Sequence, residues 1–218
     1  MKDIAVLLGG RFYKSYLKKD NEDTIKQIKR KNCNFNLDLY LHIWKEDIWG
    51  NFYDKDLHKK NIKIRQNNIE EIEKIINYYN PKKYIINDVI EINKIKHFTM
   101  TYEIIIFNLK ILFNMREKDY DIYIFTRPDL MFNEFNLFLG DYVLKENEIL
   151  CYNGGYNVPI CDWFFIMDHK TIEKISKVEF KSNKNIPNET NIFLNLVEKG
   201  FTFKKIGNID KNICLKNL

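Results

Sequence analysis

The 218-residue chain has little of what usually identifies a protein at sight. It has four cysteines, Cys33, Cys151, Cys161 and Cys214, and no two stand in CxxC spacing. Zinc-ribbon and thioredoxin-like chemistry are therefore unsupported. Cys151 and Cys161 flank a loop and are near enough in sequence to pair. With no other secretory sign, reduced thiols in a cytoplasmic setting are the expectation. Near the start, the apolar run is only Ile4 to Leu8, too short for a signal-peptide core or a bilayer span. There is no G-x-G-x-x-G and no Walker loop, so neither nucleotide fingerprint applies. No repeat and no low-complexity linker divides the chain. The charge excess is small: 35 basic and 30 acidic residues give a net +5, spread along the sequence. That balance suits an anionic small-molecule ligand and does not indicate a nucleic-acid partner. What is present is bulk: 45% hydrophobic and 15% aromatic residues, enough for a sizeable core. The length suits one domain, or one domain with a small subdomain.

The most informative stretch is Tyr120-Asp-Ile-Tyr-Ile-Phe-Thr-Arg-Pro-Asp-Leu-Met-Phe132. Ile122 to Phe125 run without a polar break, as in a strand buried on both faces. Pro128 cannot donate to a sheet ladder, so regular pairing stops at or before it. The strand therefore delivers Arg127 and Asp129 to its own C-terminal end, where ligands bind in open α/β sheets.

Around it, the patterns predict an alternation of strands and helices. Ile4 to Leu8 reads as a first, central strand stopped by Gly9-Gly10. Residues 21–31 read as a surface helix and Leu37 to Trp44 as a second strand. Residues 45–66 show no period and are expected to be irregular. Ile69, Ile72, Ile75, Ile76 and Tyr79 have helical spacing, and Asn80-Pro81 ends that helix. A short strand follows at 84–90. Tyr102, Ile105, Ile106, Leu109, Leu112 and Phe113 mark a helix over 99–117. Residues 136–145 leave room for one helical turn. Strands are predicted at 148–152, 163–167 and 201–206, and helices at 171–178 and 188–199, with Gly200 placed to cap the second. The expected fold is α/β, a mostly parallel central sheet flanked by helices, with a smaller antiparallel C-terminal part.

Five polar groups fall at strand ends or in adjoining loops. Gly9-Gly10 allows close backbone approach and Arg11 could grip a phosphate; the plain alternative is a strand-to-loop turn. His42 and Trp44 alternate onto one face, either as a wall for a base or sugar ring or as core residues. Arg127 and Asp129 suit a diphosphate, with Asp129 able to hold a divalent ion; the alternative is a surface ion pair. Asp162, entering the apolar run Trp163-Phe-Phe-Ile-Met167, could be a general base or a turn carboxylate. Glu189 opens a helix, where first-turn amides already favour an acid.

These pieces in this order resemble small glycosyltransferase-like proteins of the GT-A fold, found in bacterial surface-polysaccharide clusters and large DNA viruses. The resemblance is carried by Ile4-Ala-Val-Leu-Leu-Gly-Gly-Arg11, Leu37-Asp-Leu-Tyr-Leu-His-Ile-Trp44, Tyr120 to Phe132, Asp162-Trp-Phe-Phe165 and Pro187-Asn-Glu189. The second and third motifs carry most of it. Members tend to show an "R-x-R-P-D-L-x-F"-like strand; here Phe125 stands where the first arginine would be.

The resemblance implies a single domain over 1–218, with a nucleotide-sugar half over about 1–132 and an acceptor half over about 133–218. It implies a nucleotide-diphosphate sugar donor and a glycan or other hydroxyl acceptor. Gly9, Gly10 and Arg11 would line the nucleotide. GT-A enzymes usually hold Mn or Mg with an Asp-x-Asp motif, and the matching position here, Arg127-Pro-Asp129, has one acid. Asp129 would be the metal ligand, or Arg127 would replace part of the metal's charge. An inverting enzyme would use Asp162, then Glu189, as the acceptor's base; a retaining one needs no such base. The expected location is cytoplasmic, or host cytoplasm for a viral protein. The rival readings are a nucleotidyltransferase-like nucleotide-sugar enzyme, for which Gly9-Gly10-Arg11 is a short loop, and a non-catalytic carbohydrate-binding module using Trp44, Tyr152, Tyr156 and Trp163.

Overall fold

A computed structural model describes residues 1–10, 12, 23–49, 63–88, 91–92, 101–128, 130–132, 137–153, 159–161, 164–181, 186, 188–208 and 213–215. Its centre is strand β1 (Asp3–Gly10), buried from Ile4 through Gly9. The other strands of the main sheet are β2 (Asn36–Trp44), β5 (Lys83–Asn87), β6 (Ile122–Thr126), β8 (Glu148–Asn153), β9 (Phe164–Met167) and β10 (Thr202–Asn208). They lie in the order β5-β2-β1-β6-β9-β8-β10. Every pairing is parallel except those of β9, which runs against both β6 and β8. The antiparallel C-terminal part is thus one reversed strand built into the main sheet. A small ribbon of β7 (Leu130–Phe132) with β11 (Ile213–Leu215) accompanies it.

Alternating residues of the inner strands go to opposite faces, and both faces are covered, hence the continuous apolar runs. Ile4, Val6, Leu8, Leu39, Leu41, Ile43, Ile122 and Ile124 pack under helices α1 (Thr24–Lys31) and α2 (Ile69–Tyr79). Ala5, Leu7, Tyr40, Tyr123, Phe125, Phe165 and Met167 pack under α3 (Thr101–Asn114), α4 (His169–Lys177) and α5 (Asn188–Glu198). The helix ends follow local chemistry. Asp23 accepts the Lys26 N–H at 2.8 Å and Asp168 accepts that of Thr171 at 2.8 Å, so α4 opens at 169 instead of 171. Asn68 and Glu71 form a capping box on α2, and Asn80 ends it at φ 44°. Gly200, at φ +84°, stops α5 as expected. A single 3₁₀ turn occupies Leu139–Asp141.

Residues 45–66 differ from expectation. Their two ends pair as an antiparallel ribbon, β3 (Glu46–Trp49) with β4 (Lys63–Gln66). Each strand is four residues long with its partner distant in sequence, so neither carries a local period. Cys33, Cys151 and Cys161 are free, the last two buried, and burial pushes the Cys151 thiol up to about 12. Among the described residues, no helix is long and apolar enough to cross a membrane.

Candidate functional site

The chain builds β1, β2 and β5 outward in one direction and then crosses to β6 on the other side of β1. The order therefore reverses between β1 and β6, and their C-terminal ends form the crevice typical of ligand sites in open sheets. Leu8 pairs with Thr126, so Gly9-Gly10 and Arg127-Pro128 emerge side by side.

The two glycines answer to different demands, close packing at residue 9 and backbone conformation at residue 10. A Cβ at residue 9 would stand 3.1 Å from Leu112 Cδ1 and 3.2 Å from Asn108 Cβ, so glycine lets α3 settle on the end of β1. Gly10 has φ +135°, which strains any residue with a side chain. Its Cβ position faces Arg127 Cγ at 3.4 Å and Pro128 Cδ at 3.5 Å. Two of the expected site segments thus meet in space. The chain then turns, with the Leu130 N–H reaching the Arg127 carbonyl at 3.4 Å, and the Thr24 hydroxyl fastens the Leu130 carbonyl at 2.8 Å.

His42 pairs in register with Gly9, and Trp44 with Asn87. The two β2 side chains share the α3 face. Their ring centroids are 4.4 Å apart, and Trp44 stacks on Phe107 of α3 at 6.0 Å and 21°. Among the described residues, seven buried side-chain polar atoms lack a hydrogen-bond partner. Five of them are here: both His42 ring nitrogens, Trp44 Nε1, Asn87 Oδ1 and Asn108 Oδ1. A sixth, Thr126 Oγ1, ends β6. Unpartnered buried polar groups are costly and uncommon, so their concentration at one edge marks it as special. Burial drives the His42 pKa down to about 4, against a smaller upward pull from Asn87 and Asn108. The ring is neutral at neutral pH.

At the opposite edge, where β1, β2 and β6 begin, the side chains pair with one another; the seventh unpartnered atom, Glu148 Oε2, opens β8. Tyr120 donates to Asp38 Oδ2 at 2.6 Å and its hydroxyl meets that of Tyr40 at 2.6 Å. Lys82 reaches Asp38 at 2.8 Å, and the Tyr123 hydroxyl lies 3.0 Å from His169 Nδ1.

Glu189 lies in the first turn of α5, half exposed. That helix ends at the Gly200 turn into β10, parallel to β8, so its eleven residues carry Glu189 roughly 16 Å back toward the C-terminal edge of the sheet. Arg11, Asp129 and Asp162 lie outside the described residues. The described part of the crevice holds a guanidinium, and no described cluster of three His, Cys, Asp or Glu could hold a metal ion. These described residues alone do not make a Mn or Mg site. Asn87 and Asn108 were missed in the sequence. The signal for Asn108 was present: it is a lone polar residue at helical spacing with Ile105 and Leu112.

No family model matches the chain, and no curated protein sequence does. Among solved structures, it is similar to the glycosyltransferase GlyE of Streptococcus pneumoniae TIGR4, at 15% identity and a TM-score of 0.48, covering 94% of this chain and 46% of that one. The apo form of the same protein gives 13% identity and a TM-score of 0.47, over 94% and 45%. This chain therefore spans about half the length of these structures. A glucose-1-phosphate thymidylyltransferase from Bacillus anthracis, so described as putative and in complex with a sucrose, gives 10% identity and a TM-score of 0.45, over 94% and 87%.

Proposed function

We propose that the chain is a glycosyltransferase that moves a sugar from a nucleotide-diphosphate sugar to a glycan or other hydroxyl acceptor, with the β1–β6 crevice as the donor site. The observation that carries this reading is Gly10, held at φ +135° against Arg127 and Pro128 at the point where the strand order reverses. Glycine backbone and a guanidinium side by side suit a diphosphate: the backbone approaches closely and the arginine pairs two oxygens at once. His42, Trp44 and Phe107 supply the neighbouring aromatic wall for a planar ring.

In the reaction, the bond from the sugar's anomeric carbon to the β-phosphate oxygen breaks and the acceptor oxygen bonds that carbon. The electron pair leaves with the nucleoside diphosphate, and Arg127 stabilises the charge that develops there. Arg11 lines the nucleotide. Asp129 would hold a Mn or Mg ion, which when bound neutralises the same diphosphate. In an inverting reaction the acceptor's proton passes to Asp162, or to Glu189 at the same edge. Residues 1–132 would serve the donor and 133–218 the acceptor, in the cytoplasm.

The test is a thermal-shift screen with UDP, GDP, dTDP and CMP, with and without Mn. One of them is expected to raise the melting temperature, and Arg127→Ala to reduce that rise by tenfold or more in affinity. A response to free glycans and to no nucleotide would replace this reading with a carbohydrate-binding module. If Asp162→Asn and Glu189→Gln both keep full transfer, neither is the base.

A further inference from the structure

The unpartnered groups at the donor edge come from three elements: His42 and Trp44 from β2, Asn87 from β5 and Asn108 from α3. We propose that Asn87 and Asn108 are positioning residues that hold His42, and through it Trp44, as a fixed and uncharged wall of the crevice. The ligand role of that wall rests on the function proposed above; the hold on His42 does not.

The geometry leads there by steps. Asn108 comes down beside β1 because residue 9 has no side chain: a Cβ there would stand 3.2 Å from Asn108 Cβ. Gly9 is the register partner of His42, so the amide arrives next to the imidazole. From the other side, Asn87 is the register partner of Trp44 on the edge strand β5. Both amides act on the ring as side-chain hydrogen-bonding neighbours and lift its pKa, while the ring nitrogens fall short of full hydrogen-bond geometry. A neutral imidazole has one donor and one acceptor nitrogen, and an amide offers both kinds of group. One asparagine carbonyl can take the ring N–H while the other's amide serves the bare nitrogen. The pair therefore suits a neutral ring and fixes its tautomer. Among the described residues no charged group acts on it: Ile85 and Asn87 face it from β5, Gly9 from β1, Phe107 and Asn108 from α3, and Trp44 from its own strand. The indole packed at 4.4 Å then inherits the ring's position and its lack of charge.

The test uses Trp44 as its own reporter. The chain has three tryptophans, so replacing Trp49 and Trp163 by Phe leaves one indole beside His42. An imidazolium quenches an adjacent indole; a neutral imidazole does not. In this background, emission is expected to stay flat from pH 8 to pH 5. Asn108→Asp puts a carboxylate against the ring, favours the imidazolium, and is expected to bring a quenching midpoint into that range. Asn87→Asp is the second variant, and thermal melting shows which of the two is folded. Affinity for whichever nucleoside diphosphate binds the parent is expected to fall tenfold or more below the new midpoint and to show no such fall in the parent. Flat emission in a folded aspartate variant overturns the hold on His42. Quenching without a matching loss of affinity overturns the positioning role. If no nucleoside diphosphate binds the parent at any pH, the proposed function fails and takes the ligand role with it; emission alone then still decides whether the asparagines hold the ring.

Discussion

At residue 10 the backbone stands at φ +135°, where a β-carbon clashes with its own chain, and that carbon would lie in contact with Arg127 Cγ at 3.4 Å. Gly10→Ala should cost about 1–3 kcal/mol in urea unfolding. Relieving that strain shifts the backbone beside Arg127, so nucleoside-diphosphate affinity is expected to fall together with stability. His42 makes a different demand. Its pKa is near 4 folded, chiefly through burial, against 6.5 unfolded. Between those values the unfolded chain binds a proton that the folded chain refuses, so stability rises with pH across the window. The full contribution is present above about pH 6.5 and is lost as pH falls toward 4, roughly 3 kcal/mol in all. Urea midpoints at pH 7.5 and pH 5 should show the decline, and His42→Gln should flatten it.

At the scale of elements, Asn32 shows how side chains tie segments together. It is buried at the end of α1, donates to the Ile28 carbonyl at 3.0 Å and the Leu137 carbonyl at 3.3 Å, and accepts the Leu139 N–H at 2.8 Å. Asn32→Leu takes the side-chain partner from the buried Leu137 carbonyl and Leu139 N–H, while the Ile28 carbonyl keeps the residue-32 backbone N–H, so a loss of about 2–4 kcal/mol is expected by chemical denaturation. Nothing in the sequence announced that clamp, since its partners beyond α1, Leu137 and Leu139, stand more than a hundred positions away. The same distinction separates what could be read from what could not. Ile4 to Leu8 and Ile122 to Phe125 declared themselves because strands covered on both faces need unbroken apolar runs. Helix α2 declared itself through its spacing and its asparagine stops. The ribbons β3–β4 and β7–β11 did not, because three or four residues are too few to show a period. At the site, Gly10 and Arg127 were legible as strand ends, but their adjacency is set by the order in which strands join the sheet. Asn108 stood out in the sequence as a polar residue on an apolar helix face, but its partner, and Asn87 altogether, acquire meaning only when β5 and α3 close on His42 from either side.

Across the whole molecule the two ends of the sheet have opposite characters. The end where β1, β2 and β6 finish gathers glycines, a guanidinium and unpartnered polar groups. The end where they begin is laced shut by Tyr40, Tyr120, Asp38, Lys82, Tyr123 and His169. Burial pushes Asp38 upward, but its hydrogen bonds to Lys82 and Tyr120 outweigh that and hold the carboxyl below its usual range. The stability it contributes is therefore present above the unfolded carboxylate value and is lost as pH falls through the lower folded one. Strand β1 is about eight residues long and packed on both faces, so it should hold the two ends at a fixed separation without coupling their chemistry. Tyr120→Phe tests that division. It removes the hydroxyl shared between Asp38 and Tyr40 and should cost about 1–3 kcal/mol in thermal or urea unfolding. At a temperature where the variant is fully folded, its affinity for a nucleoside diphosphate should stay within about twofold of the parent, because the lost bonds lie at the far end of β1. A tenfold loss would mean that the laced end reaches the crevice through the sheet, and that the two ends act as one site.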